Sequence, residues 1–172
     1  MKTIYIYTSI ILIFFVMNSC KGELDSKPVE KIESLIRLSI TDKNGKDLLY
    51  DKLTIENSIV KSPYSLIAKT GNSEDSITDL IADDNPVRLI LMSKIGTFSD
   101  MGAGDQGITV YKLNLPTVFG VNHTDTITLY WTLVNVNSNK FNIEPKYDKI
   151  LINGNEVQLA DKQLKNLDYI VE

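Results

Sequence analysis

Most acid–base, nucleophilic and zinc chemistry draws on histidine and cysteine, and this chain holds one of each. His123 stands in Asn122-His123-Thr124, a polar turn that reads as a solvated loop. With no second His and the only Cys far away at Cys20, a zinc site or a Cys–His pair is excluded by inventory. No Gly-x-Ser-x-Gly elbow accompanies the histidine. Paired carboxylates are another route to catalysis, as in glycoside hydrolysis. Asp79, Asp83, Asp84, Asp100 and Asp105 all fall beside turns, where aspartate commonly bonds its own backbone. Asp42 to Asp47 is rich in oxygen ligands, but its glycine and acids are out of register for a helix–loop–helix calcium site. The segment Gly102 to Gly107 lacks a Gly-Lys-Ser/Thr ending and precedes a strand, so it reads as a loop rather than a phosphate cradle. Tyr111, Tyr130 and Trp131 offer rings on which a sugar could stack. Trp131, however, shares strand parity with Ile127, Leu129 and Leu133 and belongs to the core. The residues therefore predict no catalytic group, no metal and no cofactor.

The elements carrying these residues repeat with a period of two. Leu35 to Ile40 places Ile36, Leu38 and Ile40 on one face, and Arg37 and Ser39 on the other. Asn44-Gly45 is a hairpin signal. Leu53 to Lys61 and Tyr64 to Thr70 read as strands separated by Ser62-Pro63, with a turn over Gly71 to Asp75. Ile77 to Ala82 fits either a short helix or a strand, ending before Asn85-Pro86. Val87 to Lys94 is a strongly apolar strand, and Ile108 to Leu115 alternates. Asp125 to Val136 is the clearest strand, rich in Thr, Tyr, Trp and Val. Phe141 to Glu144 and Lys149 to Ile152 read as two strands around Pro145, and Asn153-Gly154 as a second hairpin into Glu156 to Leu159. The last stretch, from Ala160, reads as a short helix or an edge strand. Many short strands with turns between them predict an all-β fold, a single antiparallel β-sandwich or a small barrel. A net charge of −4 without a basic cluster argues against nucleic acid as a partner.

The first twenty residues are of a different kind. Lys2 is followed by an apolar run from Ile4 to Met17, roughly 21 Å of helix against the ~30 Å of a bilayer core. That is short for a membrane span and right for a signal peptide. Met17-Asn18-Ser19-Cys20 then resembles the lipobox of bacterial lipoproteins. The resemblance implies cleavage between Ser19 and Cys20, lipid on the Cys20 thiol, and anchoring by two or three acyl chains. It divides the chain into a leader over 1–19, a lipidated Cys20 with a flexible tether over 20–31, and a β-sandwich over 32–172. The charges at Lys21, Glu23 and Asp25 resemble the export signal of surface lipoproteins in Bacteroidetes. Asp75-Ser76-Ile77 and Asp125-Thr126-Ile127 resemble the O-glycan acceptor triplet of the same bacteria, with Ser76 and Thr126 as the acceptor hydroxyls.

Leader, first strand, Asp42-Lys43-Asn44-Gly45-Lys46-Asp47-Leu48-Leu49 and the Asn153-Gly154 hairpin together resemble small lipoproteins of Bacteroidetes. That likeness implies an immunoglobulin-like sandwich on the outer membrane, at the cell surface or the periplasmic face. The expected function is a lipid-anchored, non-catalytic binding or accessory protein of the envelope, held to the membrane through Cys20, with a protein or glycan partner. A periplasmic inhibitor or immunity-type lipoprotein is the alternative expectation.

Overall fold

Two six-stranded sheets face each other in a computed structural model that describes residues 31–84, 87–136, 143–160, 162 and 165–171. The strands, in chain order, are β1 (Lys31–Asp42), β2 (Ile55–Glu56), β3 (Ile59–Val60), β4 (Ser65–Thr70), β5 (Ser73–Ser76), β6 (Ile81–Asp84), β7 (Val87–Thr97), β8 (Gln106–Asn114), β9 (Asp125–Asn135), β10 (Ile143–Ile152), β11 (Asn155–Val157) and β12 (Asn166–Val171). Two short helices, α1 (Leu48–Lys52) and α2 (Pro116–Phe119), join them. One sheet runs β12-β1-β7-β6-β3-β2 and the other β11-β10-β9-β8-β4-β5. The fold is an all-β sandwich, as the alternation predicts. Among the described strands all pairings are antiparallel except one: β12 lies parallel to β1.

The core follows directly from strand parity. Ile36, Leu38 and Ile40 of β1 and Leu89 and Leu91 of β7 meet Tyr111 and Leu113 of β8 and Ile127 and Leu129 of β9, all essentially without solvent exposure. Fully burying side chains of this size contributes about 1.5–3 kcal/mol each. Trp131 is buried at the far end with Ile32, Leu133 and Ile143, as its parity predicts. Its ring lies against the backbone of Gly107, where a Cβ would collide with it. The indole N–H donates to Thr109 Oγ1 at 3.1 Å, and that hydroxyl lies 3.0 Å from Thr70 Oγ1.

Four local expectations are corrected. The turn at Asn44-Gly45 forms, with Gly45 at φ 79°, but leads into α1 rather than a return strand. Asp47 decides this, because its carboxylate accepts from the N–H groups of Leu49 and Tyr50 and caps the helix. Leu53 to Lys61 is a hairpin, β2–β3, because Asn57 and Ser58 both take positive φ (51° and 61°) and reverse the chain. The segment Gly71 to Asp75 is a turn only at its start and becomes β5 from Ser73. Pro145 does not divide two strands, since β10 runs through it. The register with β9 slips between Tyr147 and Lys149, making Asp148 a bulge residue. That extra residue moves the inward parity from Ile143, Pro145 and Tyr147 to Ile150 and Ile152, so both halves of β10 face the core. Of the paired readings, Ile77 to Ala82 resolves as a loop entering β6, and the C-terminal stretch as an edge strand. Asn85, Pro86 and Phe141 lie outside the described residues.

Candidate functional site

A groove of about 400 Å³ runs alongside the N-terminal half of β10. It exists because β11 covers only the Ile150–Ile152 end of β10, leaving the other half without an outer neighbour among the described strands. Tyr147 reaches across from β10 to β1. Its hydroxyl donates to the Leu35 carbonyl at 2.8 Å and accepts from the Leu35 N–H at 2.9 Å, with Ser34 Oγ at 3.3 Å. The phenol thus satisfies the edge of β1 where β12 does not reach. Burial holds its pKa above the ordinary tyrosine value. Around the groove stand Lys146, Lys149, Lys162 and Lys165 with Glu144, Asp148 and Glu156. The ion pairs among them are long: Lys165–Glu144 at 3.6 Å, with Lys165 mostly buried, and the solvated Lys149–Glu156 at 3.7 Å and Lys146–Asp148 at 3.9 Å. The Lys165 ammonium also lies 5.8 Å from the centre of the Tyr147 ring. The result is a slot of mixed charge over an aromatic wall, with lysines only loosely engaged and able to turn toward a ligand.

Strand addition is a poor use of this groove. Leu133, opposite Pro145, sends its N–H to Asp105 O and takes the Gly104 N–H on its carbonyl, both away from β10. Pro145 therefore sits at an outward ladder position and has no N–H to offer there. Lys146 and the bulge at Asp148 follow directly, and each discourages edge pairing.

A second polar centre gathers at the other end of β9. Asp125, 1% exposed, places Oδ1 2.9 Å from His123 Nε2, 2.6 Å from Asn153 Nδ2 and 3.2 Å from the Tyr169 hydroxyl. The His123 ring lies tilted against Phe119 with centroids 5.0 Å apart, and Phe119 lies 6.3 Å from Tyr169. Asn153 also accepts the Thr126 N–H on Oδ1 at 2.8 Å. Burial first, then the neighbouring Asp125 charge, hold the Tyr169 pKa above its usual value. The expectation of a solvated His123 is corrected in part. Its side chain keeps 45% exposure, but Nε2 is committed to a buried carboxylate. The signal was available in the sequence, since Asp125 shares parity with Ile127 and Leu129 and so must point inward. The cluster ties three distant segments together: the loop before β9, the β10–β11 turn and β12.

A third hollow, about 510 Å³ and more apolar, opens near Gly107 between Ile95, Met101, Ile108 and Trp131, with Lys69 at its margin.

Three of the five candidate carboxylates have separate partners. Asp83 pairs with Arg37 at 3.2 Å, Asp100 accepts from the Thr97 hydroxyl at 2.5 Å, and Asp105 accepts the Gly102 N–H at 2.8 Å. Asp42 accepts from the N–H groups of Asn44 and Lys46, which hold its pKa below the ordinary carboxylate value. Among the described residues no three His, Cys, Asp or Glu side chains form a metal-ligating group. Of the three candidate sugar-stacking rings, Tyr111 and Trp131 are buried, and Tyr130 lies on the outward face of β9. Ser76 is exposed at the end of the edge strand β5, whereas Thr126 lies half-buried in a strand with neighbours on both sides. Ser19 and Cys20 lie outside the described residues. Compared with family models, curated proteins and solved structures, the chain finds no significant match.

Proposed function

We propose that this is a lipid-anchored, non-catalytic binding or accessory protein of a bacterial cell envelope, tethered through Cys20 and engaging a protein or glycan partner in the groove beside β10. The observation that carries the binding reading is the groove itself. Its lysines and carboxylates pair at 3.6–3.9 Å, long enough to exchange for a ligand's charges, and its Tyr147 wall is fixed by two hydrogen bonds to Leu35. A site of this make-up suits polar, hydrogen-bonding partners. The non-catalytic reading is supported by the engagement of Asp100 and Asp105 within their own loop. The anchoring reading rests on the sequence from Lys2 to Cys20.

The test is binding of the purified chain to a panel of envelope polysaccharides and purified envelope proteins, repeated with Lys146→Glu/Lys149→Glu. Both side chains are solvated, so the variant should melt within a degree or two of the parent. A ligand bound by the parent and lost, or weakened at least tenfold, by the variant supports the groove. No ligand in the panel, or one bound equally by both proteins, rejects it.

A further inference from the structure

The four sheet edges are not equally defended. β11 is three residues long, and the half of β10 that it leaves uncovered carries Pro145, Lys146 and the Asp148 bulge; β5 is four exposed residues, Ser-Glu-Asp-Ser; β2 is two residues long. β12, at the edge beyond β1, has no proline, no lysine and no bulge. Its last residues are Tyr169-Ile170-Val171, with Ile170 60% exposed. Natural edge strands of this length usually carry at least one such guard.

The hydrogen bonding of β12 shows which of its groups face outward. The Arg37 N–H donates to Lys165 O, which sets the parallel ladder so that Leu167, Tyr169 and Val171 bond β1. Asn166, Asp168 and Ile170 then point their N–H and C=O away from β1. The Ala160 N–H occupies the Asn166 carbonyl at 2.9 Å, consistent with that phase. The Asp168 carboxylate, the one charge on the strand, is exposed and accepts from the Ser39 hydroxyl.

We infer that β12 pairs antiparallel with β12 of a second copy of this chain, about a twofold axis at Tyr169, making one continuous sheet across the two molecules. In that register Asp168 faces Ile170 of the other copy. Each such pair exchanges two N–H···O bonds, so the two pairs use all four outward groups of Asp168 and Ile170 in each chain. No like charges meet, because Asp168 is opposite Ile170 and Tyr169 is opposite itself. A shift by two residues would instead set Asp168 against Asp168 or leave groups unpaired. The contact is independent of the groove beside β10 and small by the standards of stable dimers, so it forms at high local concentration.

The test uses the whole chain with Cys20→Ser, purified in detergent, so that no native thiol remains. Asp168→Cys and Ile170→Cys chains are mixed and oxidised. Residues opposed in this register lie about 5.5 Å apart at Cα, within disulfide reach. The expected product is the mixed disulfide, several-fold in excess of either homodimer. In sedimentation the parent should associate as concentration rises. Ile170→Pro removes an outward donor from each chain while leaving the β1 ladder intact, and should weaken association about thirtyfold. A mixed disulfide at or below the statistical proportion, or a parent that is monomeric up to about 1 mM, overturns the pairing. Should Ile170→Pro fail to fold, the disulfide register still decides the matter.

Discussion

Replacing Gly107 by alanine drives a methyl group into the Trp131 ring, whose position is fixed by the indole bond to Thr109 and by the packing of Ile32, Leu133 and Ile143. Neither side can yield cheaply, so the expected cost is about 1–3 kcal/mol in urea unfolding. Gly102→Ala is the control, since an added Cβ there meets nothing within 4 Å. Asp125→Ala removes the acceptor shared by His123, Asn153 and Tyr169 in a nearly solvent-free position. A loss of about 2–4 kcal/mol is expected, read by the same unfolding measurement. Tyr111 and Tyr147 set the alkaline limit. Burial raises both pKa values in the folded chain, so each phenol contributes stability that is complete below the unfolded value of about 10. That contribution is lost as pH rises from there through the higher folded values. The melting temperature should therefore fall above about pH 10, and unfolding there should raise the tyrosinate absorbance. Tyr147→Phe should reduce the fall.

Pro145 shows how one residue defines an element's use. Pro145→Val gives β10 an outward N–H that the parent lacks, while side-chain burial is largely kept. The expected result is little change in melting but faster aggregation on concentration, measured by light scattering. Elements of this kind were unevenly legible in the sequence. β1, β8 and β9 announced themselves because each buries one face and solvates the other, so alternation is imposed residue by residue. The Asn153-Gly154 turn was equally plain, with both residues at positive φ (50° and 84°). The Asn57-Ser58 reversal was not, since it carries no glycine. The bulge at Asp148 was hidden for a different reason, because it merely resets a parity that the surrounding residues display. The groove had no local signal at all. It arises from where β11 stops and from a Tyr147–Leu35 contact across 112 residues of sequence. The parallel docking of β12 is likewise a long-range outcome, in which Ser39 and Asp168 meet across 129 residues.

At the scale of the molecule, pairings of such separation make folding slow. A chain of this topology is expected to refold in milliseconds to seconds, which stopped-flow tryptophan fluorescence of Trp131 would follow. Placement in the cell is decided by protease treatment of intact cells, with Cys20→Ala as the control. Digestion of the parent on intact cells puts the domain on the outer surface, and protection until the outer membrane is opened puts it in the periplasm. Release of Cys20→Ala into the soluble fraction supports the lipid anchor, whereas retention like the parent's rejects it. The order of the strands has one more consequence. β1 leaves the ribosome first among the described strands, yet its outer flank over Arg37–Asp42 is filled by β12, the last of them to appear. Any chain broken off early, by a stalled ribosome or a nick near the C-terminus, leaves Ser39 and Thr41 with open backbone groups and Asp125 without the Tyr169 hydroxyl. A chain cut before β12 should therefore be digested faster than the intact one, which limited proteolysis would show.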